Sequence, residues 1–332
     1  AAEFADELDS LGVRVANLEK KSDNVKITGQ IRASYRSGDN SAHESYLRTR
    51  LFLNGAINED WTYTGRFQNR QYFDNESGDD DLELNWAYVF GPIGGVKVEA
   101  GRQDFVKSDV MDTRGDGVKL SYGDKVKVFG WAFKAASSGW ANSNSFYVDS
   151  NNNDEMDANE VLLDDGDRIY VAGVEAGIGV VDAAVRYYKA DNWRDNQIWE
   201  ASVAGEIAKD LTLKGSYFFG DSDQSRIDGD DSGYLVGLSY RGAKASQPGS
   251  WGVYANYSDR PMSTFLEPTL FAGGYGVFPS DMIDGDGYQG FDAGANVTLA
   301  KNIVAGVKYV DVESREGNTD DQTIWSELVF TF

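Results

Sequence analysis

The stretch "KITGQIRASYR", Lys26 to Arg36, alternates in chemical character almost residue by residue. Ile27, Gly29, Ile31, Ala33 and Tyr35 fall on one face; Lys26, Thr28, Gln30, Arg32, Ser34 and Arg36 fall on the other. A period of two marks a β-strand, because successive Cβ atoms point to opposite sides of a pleated backbone. The same alternation recurs along the chain. It predicts strands near 26–36, 46–57, 61–73, 81–90, 95–102, 115–123, 126–135 and 168–177. It predicts eight more near 180–190, 197–207, 211–220, 232–241, 250–258, 287–299, 303–312 and 323–332. The count is even, and the lengths lie near the roughly 9–11 residues with which a tilted strand crosses a bilayer.

The connections are sorted by length. Short turns carry "NED" (58–60), "GPIGG" (91–95), "GDK" (123–125), "AKD" (208–210) and "AKN" (300–302). Longer polar segments alternate with them, at 37–45, 74–80, 103–114, 136–167, 191–196, 221–231, 259–286 and 313–322. A membrane barrel has short turns on one rim and long loops on the other. A soluble sandwich has no reason for such sorting.

The apolar face repeats from strand to strand. Leu47, Leu51 and Leu53 oppose Arg48, Arg50 and Asn54; Trp61, Tyr63 and Phe67 oppose Thr64, Arg66, Gln68 and Arg70. Leu211, Leu213 and Tyr217 likewise oppose Thr212, Lys214 and Ser216. In a soluble β-protein the apolar face would be the core. Here aromatic residues gather at strand ends (Trp61, Phe73, Tyr122, Trp199, Trp251, Tyr257), as interfacial girdles do. The chain ends "TIWSELVFTF", with Leu328, Phe330 and Phe332 sharing a face and an aromatic as the last residue.

Composition narrows the functions available. The 332 residues include no cysteine, so disulfides, thiolate chemistry and zinc ribbons are excluded. A single histidine, His43 beside Glu44, removes most metal-hydrolase and Ser-His-Asp arrangements; it has no serine partner placed to make a nucleophile, and catalysis finds no support. Acids outnumber Lys and Arg 54 to 31, for a net charge of -23, which argues against a nucleic-acid partner. Mean hydropathy is -0.47. No run approaches the ~20 apolar residues of a spanning helix, a test that β-barrels also pass. No charged segment followed by an apolar core opens the chain, so any signal peptide is expected to be already absent.

The first 21 residues differ from the rest. Phe4, Leu8, Leu11, Val15 and Leu18 are spaced 4, 3, 4, 3, an a/d seam with charged residues around it. The expectation is a short coiled-coil stalk over 1–21, marginal alone, beside a self-associating barrel over 22–332. The fold class expected is therefore all-β, a 16-stranded antiparallel transmembrane β-barrel with a short N-terminal coiled-coil helix.

With the stalk "FADELDSLGVRVANLEKK" running into "KITGQIRASYR", "GRQDF" at 101–105 and the terminal Phe332, the chain resembles the OmpM-like porins of diderm Firmicutes. The resemblance covers the whole chain but lacks the family's N-terminal S-layer-homology domain. It implies a homotrimer embedded in outer-membrane lipid and lipopolysaccharide. It implies a peptidoglycan partner only through that domain, which would make the protein also a tether between outer membrane and cell wall. It further implies a diffusion channel for small hydrophilic solutes and ions, narrowed by an inward third long loop.

Within that frame, strand parity puts Arg32, Arg36, Arg48, Arg50, Arg66 and Arg70 on the wet face. On the lipid face each would cost roughly 2–4 kcal/mol near the midplane, so they are expected to line water. Some could pair with wall acids such as Asp81 and Glu83. Asp104, Asp109, Asp112 and Asp116, in and beside the third long loop, would face this ladder across a constriction, or else lie solvated on the rim. Arginines favour anions and loop acids favour cations, so the sign of any selectivity is open.

One loop carries a metal motif. In "VDSNNNDEMDANE" (148–160), Asp149, Asn151, Asn153, Asp157 and Glu160 stand at positions 1, 3, 5, 9 and 12 of a calcium loop, with the Glu155 carbonyl at 7. Position 6, normally glycine, is Asp154, and neither flank has a helical period. The expectation is a Ca2+ clip without an EF-hand. A soluble calcium-binding β-protein is the rival from another class, and it predicts solubility without detergent.

Overall fold

A strand with one lipid face and one wet face leaves its edges unpaired, and in hydrocarbon an unpaired edge is prohibitive. Closure into a barrel removes both edges, and the chain closes. The computed structural model describes residues 25–39, 43–74, 81–104, 108–111, 114–135, 168–190, 196–221, 231–266, 287–315 and 320–332. The expected stalk over 1–21 and the calcium loop over 149–160 lie outside the described residues.

Sixteen strands follow in order. They are β1 (Val25–Gly38), β2 (Glu44–Ala56), β3 (Thr62–Tyr72), β4 (Glu83–Ile93), β5 (Val96–Asp104), β6 (Arg114–Tyr122), β7 (Val126–Ala135) and β8 (Arg168–Ile178). Next come β9 (Val181–Ala190), β10 (Gln197–Ala208), β11 (Leu211–Asp221), β12 (Ser232–Arg241), β13 (Trp251–Arg260), β14 (Tyr288–Ala300), β15 (Ile303–Ser314) and β16 (Asp320–Thr331). Each pairs antiparallel with its sequence neighbours, and β16 returns to β1, giving one closed barrel. The expected "GPIGG" turn is tighter than its sequence suggested: β4 runs on through Ile93, and Gly94 and Gly95 make the turn at φ 57° and 87°, as a two-residue hairpin loop requires.

Closure is built from the first strand and the last residues. The register runs from Gln30–Thr331 to Gly38–Thr323. Beyond it, the Gly29 N–H donates to the Phe332 carbonyl (2.8 Å) and the Phe332 N–H donates to the Gly29 carbonyl (3.0 Å). The Phe332 ring lies over Gly29; a Cβ there would sit 2.2 Å from Phe332 Cζ. The glycine of the apolar face in "KITGQIRASYR" is thus the seat of the terminal aromatic.

The two faces differ as the alternation requires. Large apolar side chains stand exposed around the outside, among them Val128, Val174, Val185, Val203, Leu213, Val236, Val253 and Val307. Phe73, Tyr122, Trp199, Trp251 and Tyr257 are exposed near strand ends. In water this belt would be untenable; in a bilayer it is the solvated surface. The barrel spans a membrane, and a strand-built span of this kind belongs to the outer membrane. The buried apolar groups lie inside the barrel, one around β7 to β12 and one around β14, β15, β16 and β2.

Candidate functional site

The arginines of the first three strands share the inner face. Register places Arg32 opposite Arg48, and Arg48 opposite Arg70. Like charges directly opposite on adjacent strands repel, so this row needs support. Arg32 receives it from Glu327 of β16 (3.5 Å), from the Tyr46 hydroxyl, to which its Nη2 donates (2.8 Å), and from the Trp325 ring 5.0 Å away. Arg36 pairs with Glu44 (3.4 Å). Arg66 pairs with Asp104 (3.3 Å), donates to Asn85 Oδ1 (2.6 Å) and stacks 3.8 Å from the Trp86 ring centre. Arg70 lies 5.7 Å from the Tyr46 ring. The carboxylates that meet Arg32, Arg36 and Arg66 are therefore Glu327, Glu44 and Asp104, where the sequence had offered Asp81 and Glu83.

Arg48 and Arg50 are different. The Nη2 of Arg48 donates to Gln30 Oε1 (3.2 Å), and Nε of Arg50 donates to Gln68 Oε1 (2.6 Å). Neither has a carboxylate within ion-pair distance among the described residues; the buried Nε of Arg48, like that of Arg32, has no hydrogen-bond partner there.

The opposite wall is covered. Phe129, Trp131 and Phe133 of β7, Ile169 and Val171 of β8, Tyr188, Ile198, Phe218 and Leu235 point inward. Two segments from long loops fold in to cover them. Val110 and Met111 come from the β5–β6 connection, and Leu266 comes from the β13–β14 connection; all are buried in the same cluster. A 3-10 turn, Met262–Thr264, is buried throughout. The Leu266 N–H donates to the Val110 carbonyl (2.9 Å), joining the two segments.

Arg260, at the end of β13, ties both to the wall. Fully buried, it donates from Nη1 to the Asp109 carbonyl (2.9 Å), from Nη2 to the Thr264 carbonyl (2.5 Å) and from Nε to Thr264 Oγ1 (3.1 Å). Its guanidinium lies 3.5 Å from the Phe218 ring centre. Sequence reading missed Arg260 and the second inward segment. Two signals were present: apolar residues on both faces of "VKVFGWAFKA" (126–135), and the cluster "MSTFL" (262–266) inside a loop.

The four acids assigned to the constriction separate. Asp104 joins Arg66 and also accepts from Trp86 Nε1 (2.9 Å). Asp109 turns to the β11 wall, away from the arginines, paired with Lys214 Nζ (2.7 Å) and accepting from Ser216 Oγ (3.0 Å). Asp112 lies outside the described residues. Asp116 corrects the expectation. It shares parity on β6 with the exposed Val118, Leu120 and Tyr122, so it faces outward. There it makes a two-pronged pair with Arg102 (2.7 Å each), close to the loop-side rim, where charged side chains cost about 0–1 kcal/mol.

On the short-turn side, a cavity of about 570 Å³ is lined in part by Lys127, Glu175, Asp182, Arg186 and Lys214. Glu175 pairs with both Lys127 and Arg186 (3.0 Å for the latter), and Arg186 reaches Glu200 (3.0 Å). This wall is charged but internally neutralised.

A closed sixteen-stranded barrel with a lipid-facing apolar belt, a polar inner wall and loop segments folded inside is a porin-like barrel architecture. No protein-family model matches the chain, and no curated protein does. Solved structures do. A mutant of the Rhodopseudomonas blastica porin superposes with a TM-score of 0.57 at 12% identity, over 93% of this chain and 100% of that one. A loop-deletion mutant of OmpT, an outer membrane protein of Vibrio cholerae, gives 0.56 at 13% identity, over 93% and 99%. At such identities the likeness is one of fold.

Proposed function

We propose that this protein is a water-filled outer-membrane channel through which small hydrophilic solutes and ions diffuse. The observation that carries this is the asymmetry of the lumen. Among the described residues, Val110, Met111 and Leu266 cover the wall from β7 to β12 and Met262 and Phe265 join the cluster of Tyr46 and Trp325, while Arg48 and Arg50 further along β2 donate to strand residues Gln30 and Gln68. The path runs between the two, narrowed by both segments and set in a transverse field by the arginines. Purified protein should give stepwise conductance in a planar bilayer, and its absence would overturn the reading. Homotrimeric assembly belongs to the same proposal.

A second reading rests on the heptad seam of Phe4, Leu8, Leu11, Val15 and Leu18. With "GRQDF" and Phe332 it supports the narrower likeness to OmpM-like porins, in which the barrel also serves as a wall tether. A deletion of the N-terminal extension that detaches the membrane while leaving permeability intact would favour it. The loop 149–160 is proposed to hold Ca2+ through Asp149, Asn151, Asn153, Glu155, Asp157 and Glu160. Calorimetry should show uptake at or below millimolar calcium, the range of extracellular sites.

A further inference from the structure

Of the six arginines, Arg32, Arg36 and Arg66 meet carboxylates and Arg70 lies by the Tyr46 ring, whereas Arg48 and Arg50 donate to the side-chain amides of Gln30 and Gln68 and have no carboxylate at ion-pair distance among the described residues. Arg48 is 9% exposed, and its Nε, like that of the carboxylate-paired Arg32, is buried without a partner among the described residues, so what sets Arg48 apart is the lack of a carboxylate. An orphaned buried donor on an uncompensated cation calls for an anion or an ordered water, because leaving it unmet costs the group's full desolvation. Next to this pair, one step toward the short-turn mouth, the inner wall becomes aromatic. Phe52 follows Arg50 on the same face of β2, opposite Arg66, and Arg66 is opposite Trp86. Phe52 and Trp86 stand edge to face at 5.8 Å, and Trp86 and Tyr88 at 6.2 Å. All three rings are only partly buried and lie on the lumen side. A strand repeats its face every two residues, about 7 Å. Arg50 and the ring row are therefore one such step apart, and Arg48 lies one step further.

We propose that Arg48, Arg50, Phe52, Trp86 and Tyr88 form a binding site for aromatic carboxylates, with the carboxylate on the two guanidiniums and the ring against the aromatic row. It rests on the channel reading and names the solute class that channel favours. Guanidinium supplies charge-assisted hydrogen bonds to a carboxylate, and offset or edge-to-face ring contacts hold the apolar body. An aryl group joined to the carboxylate by one or two carbons spans the ~7 Å step. A simple ion lacks the ring, and a neutral aromatic lacks the charge.

The test is block of the KCl current through the full chain in a planar bilayer by 3-phenylpropionate, with propionate and benzyl alcohol as controls. Each variant is normalised to its own current. Phenylpropionate should block at a concentration at least ~10-fold lower than either control. Arg50→Gln and Arg48→Gln should each weaken block by about tenfold, and Phe52→Leu by about threefold. Equal block by propionate, or block unchanged in the arginine variants, would overturn the site. A conducting channel with no block would overturn it too while leaving the channel reading intact. No conductance at all would sink the channel reading instead. The site would then be judged by tryptophan quenching with phenylpropionate in detergent, where saturable quenching lost in Arg50→Gln supports it and its absence removes it.

Discussion

The inner wall of β1 to β4 and the inner wall of β7 to β12 come from strands with the same period, yet they present opposite chemistry. The first carries guanidiniums beside aromatic rings on the inner face. The second carries Phe129, Trp131, Phe133, Tyr188, Ile198 and Phe218, which no water-filled lumen would tolerate bare. The difference shows what inward loops need. A loop enters a barrel stably only where the wall gives it an apolar seat, since its apolar side chains must remove enough area from water to offset the ordering of its backbone. Where the wall is ionic, at Arg48 and Arg50, the described contacts are to strand side chains. The barrel's asymmetry is thus written into the inward parity of particular strands.

The strongest way to break the contrast is to detach the seat. Arg260→Ala removes three hydrogen bonds and a ring contact that join Asp109, Thr264 and Phe218. Destabilisation of about 2–4 kcal/mol is expected, because the Asp109 and Thr264 carbonyls are left without their donor. The inward segments should swing out, single-channel conductance should rise, and larger polyethylene glycols should enter. Unchanged conductance would show that these segments do not limit the path. Next in size is the arginine wall. Arg48→Gln with Arg50→Gln removes two charges that no carboxylate balances among the described residues. Reversal potentials in a KCl gradient should move toward cation preference by about fivefold in permeability ratio, the size of a ~1 kcal/mol charge interaction near 4 Å in water. Asp109→Asn is smaller. It leaves Lys214 and Ser216 without their anion, and it should cost about 1 kcal/mol or less at this half-exposed pair. Heat-modified mobility on gels would register it, with conductance shifting only slightly.

Much of this was legible in the sequence, and the reason is geometric. All sixteen strands fall within three residues of where alternation placed them, because a membrane barrel sets the side-chain period twice, against lipid and against water. The arginine row was legible for the same reason, as Arg48 cannot face hydrocarbon cheaply. The inward segments were not, because Val110, Met111, Phe265 and Leu266 sit in connections where period carries no information, and their placement depends on Arg260, far off in sequence. Asp109 was misdirected by analogy with a loop facing the arginines; its partners Lys214 and Ser216 lie on β11, a contact no local pattern announces.

Asp116 gives the finest test of the inside-outside distinction. Its parity was readable: Val118 and Leu120 follow it on the same face, and both are exposed to lipid. An acid on the lumen wall would set the local ion concentration, so neutralising it would shift the reversal potential. An acid on the outer face, held by Arg102 at 2.7 Å, lies behind the wall from the ions. Asp116→Asn should therefore leave the reversal potential unchanged, with a stability loss of at most about 1 kcal/mol for so exposed a pair. A shift toward anions in Asp116→Asn would move the residue into the lumen and overturn the parity assigned to β6. An unchanged potential, beside the shift expected for Arg48 and Arg50, would separate the two faces of one barrel by charge alone.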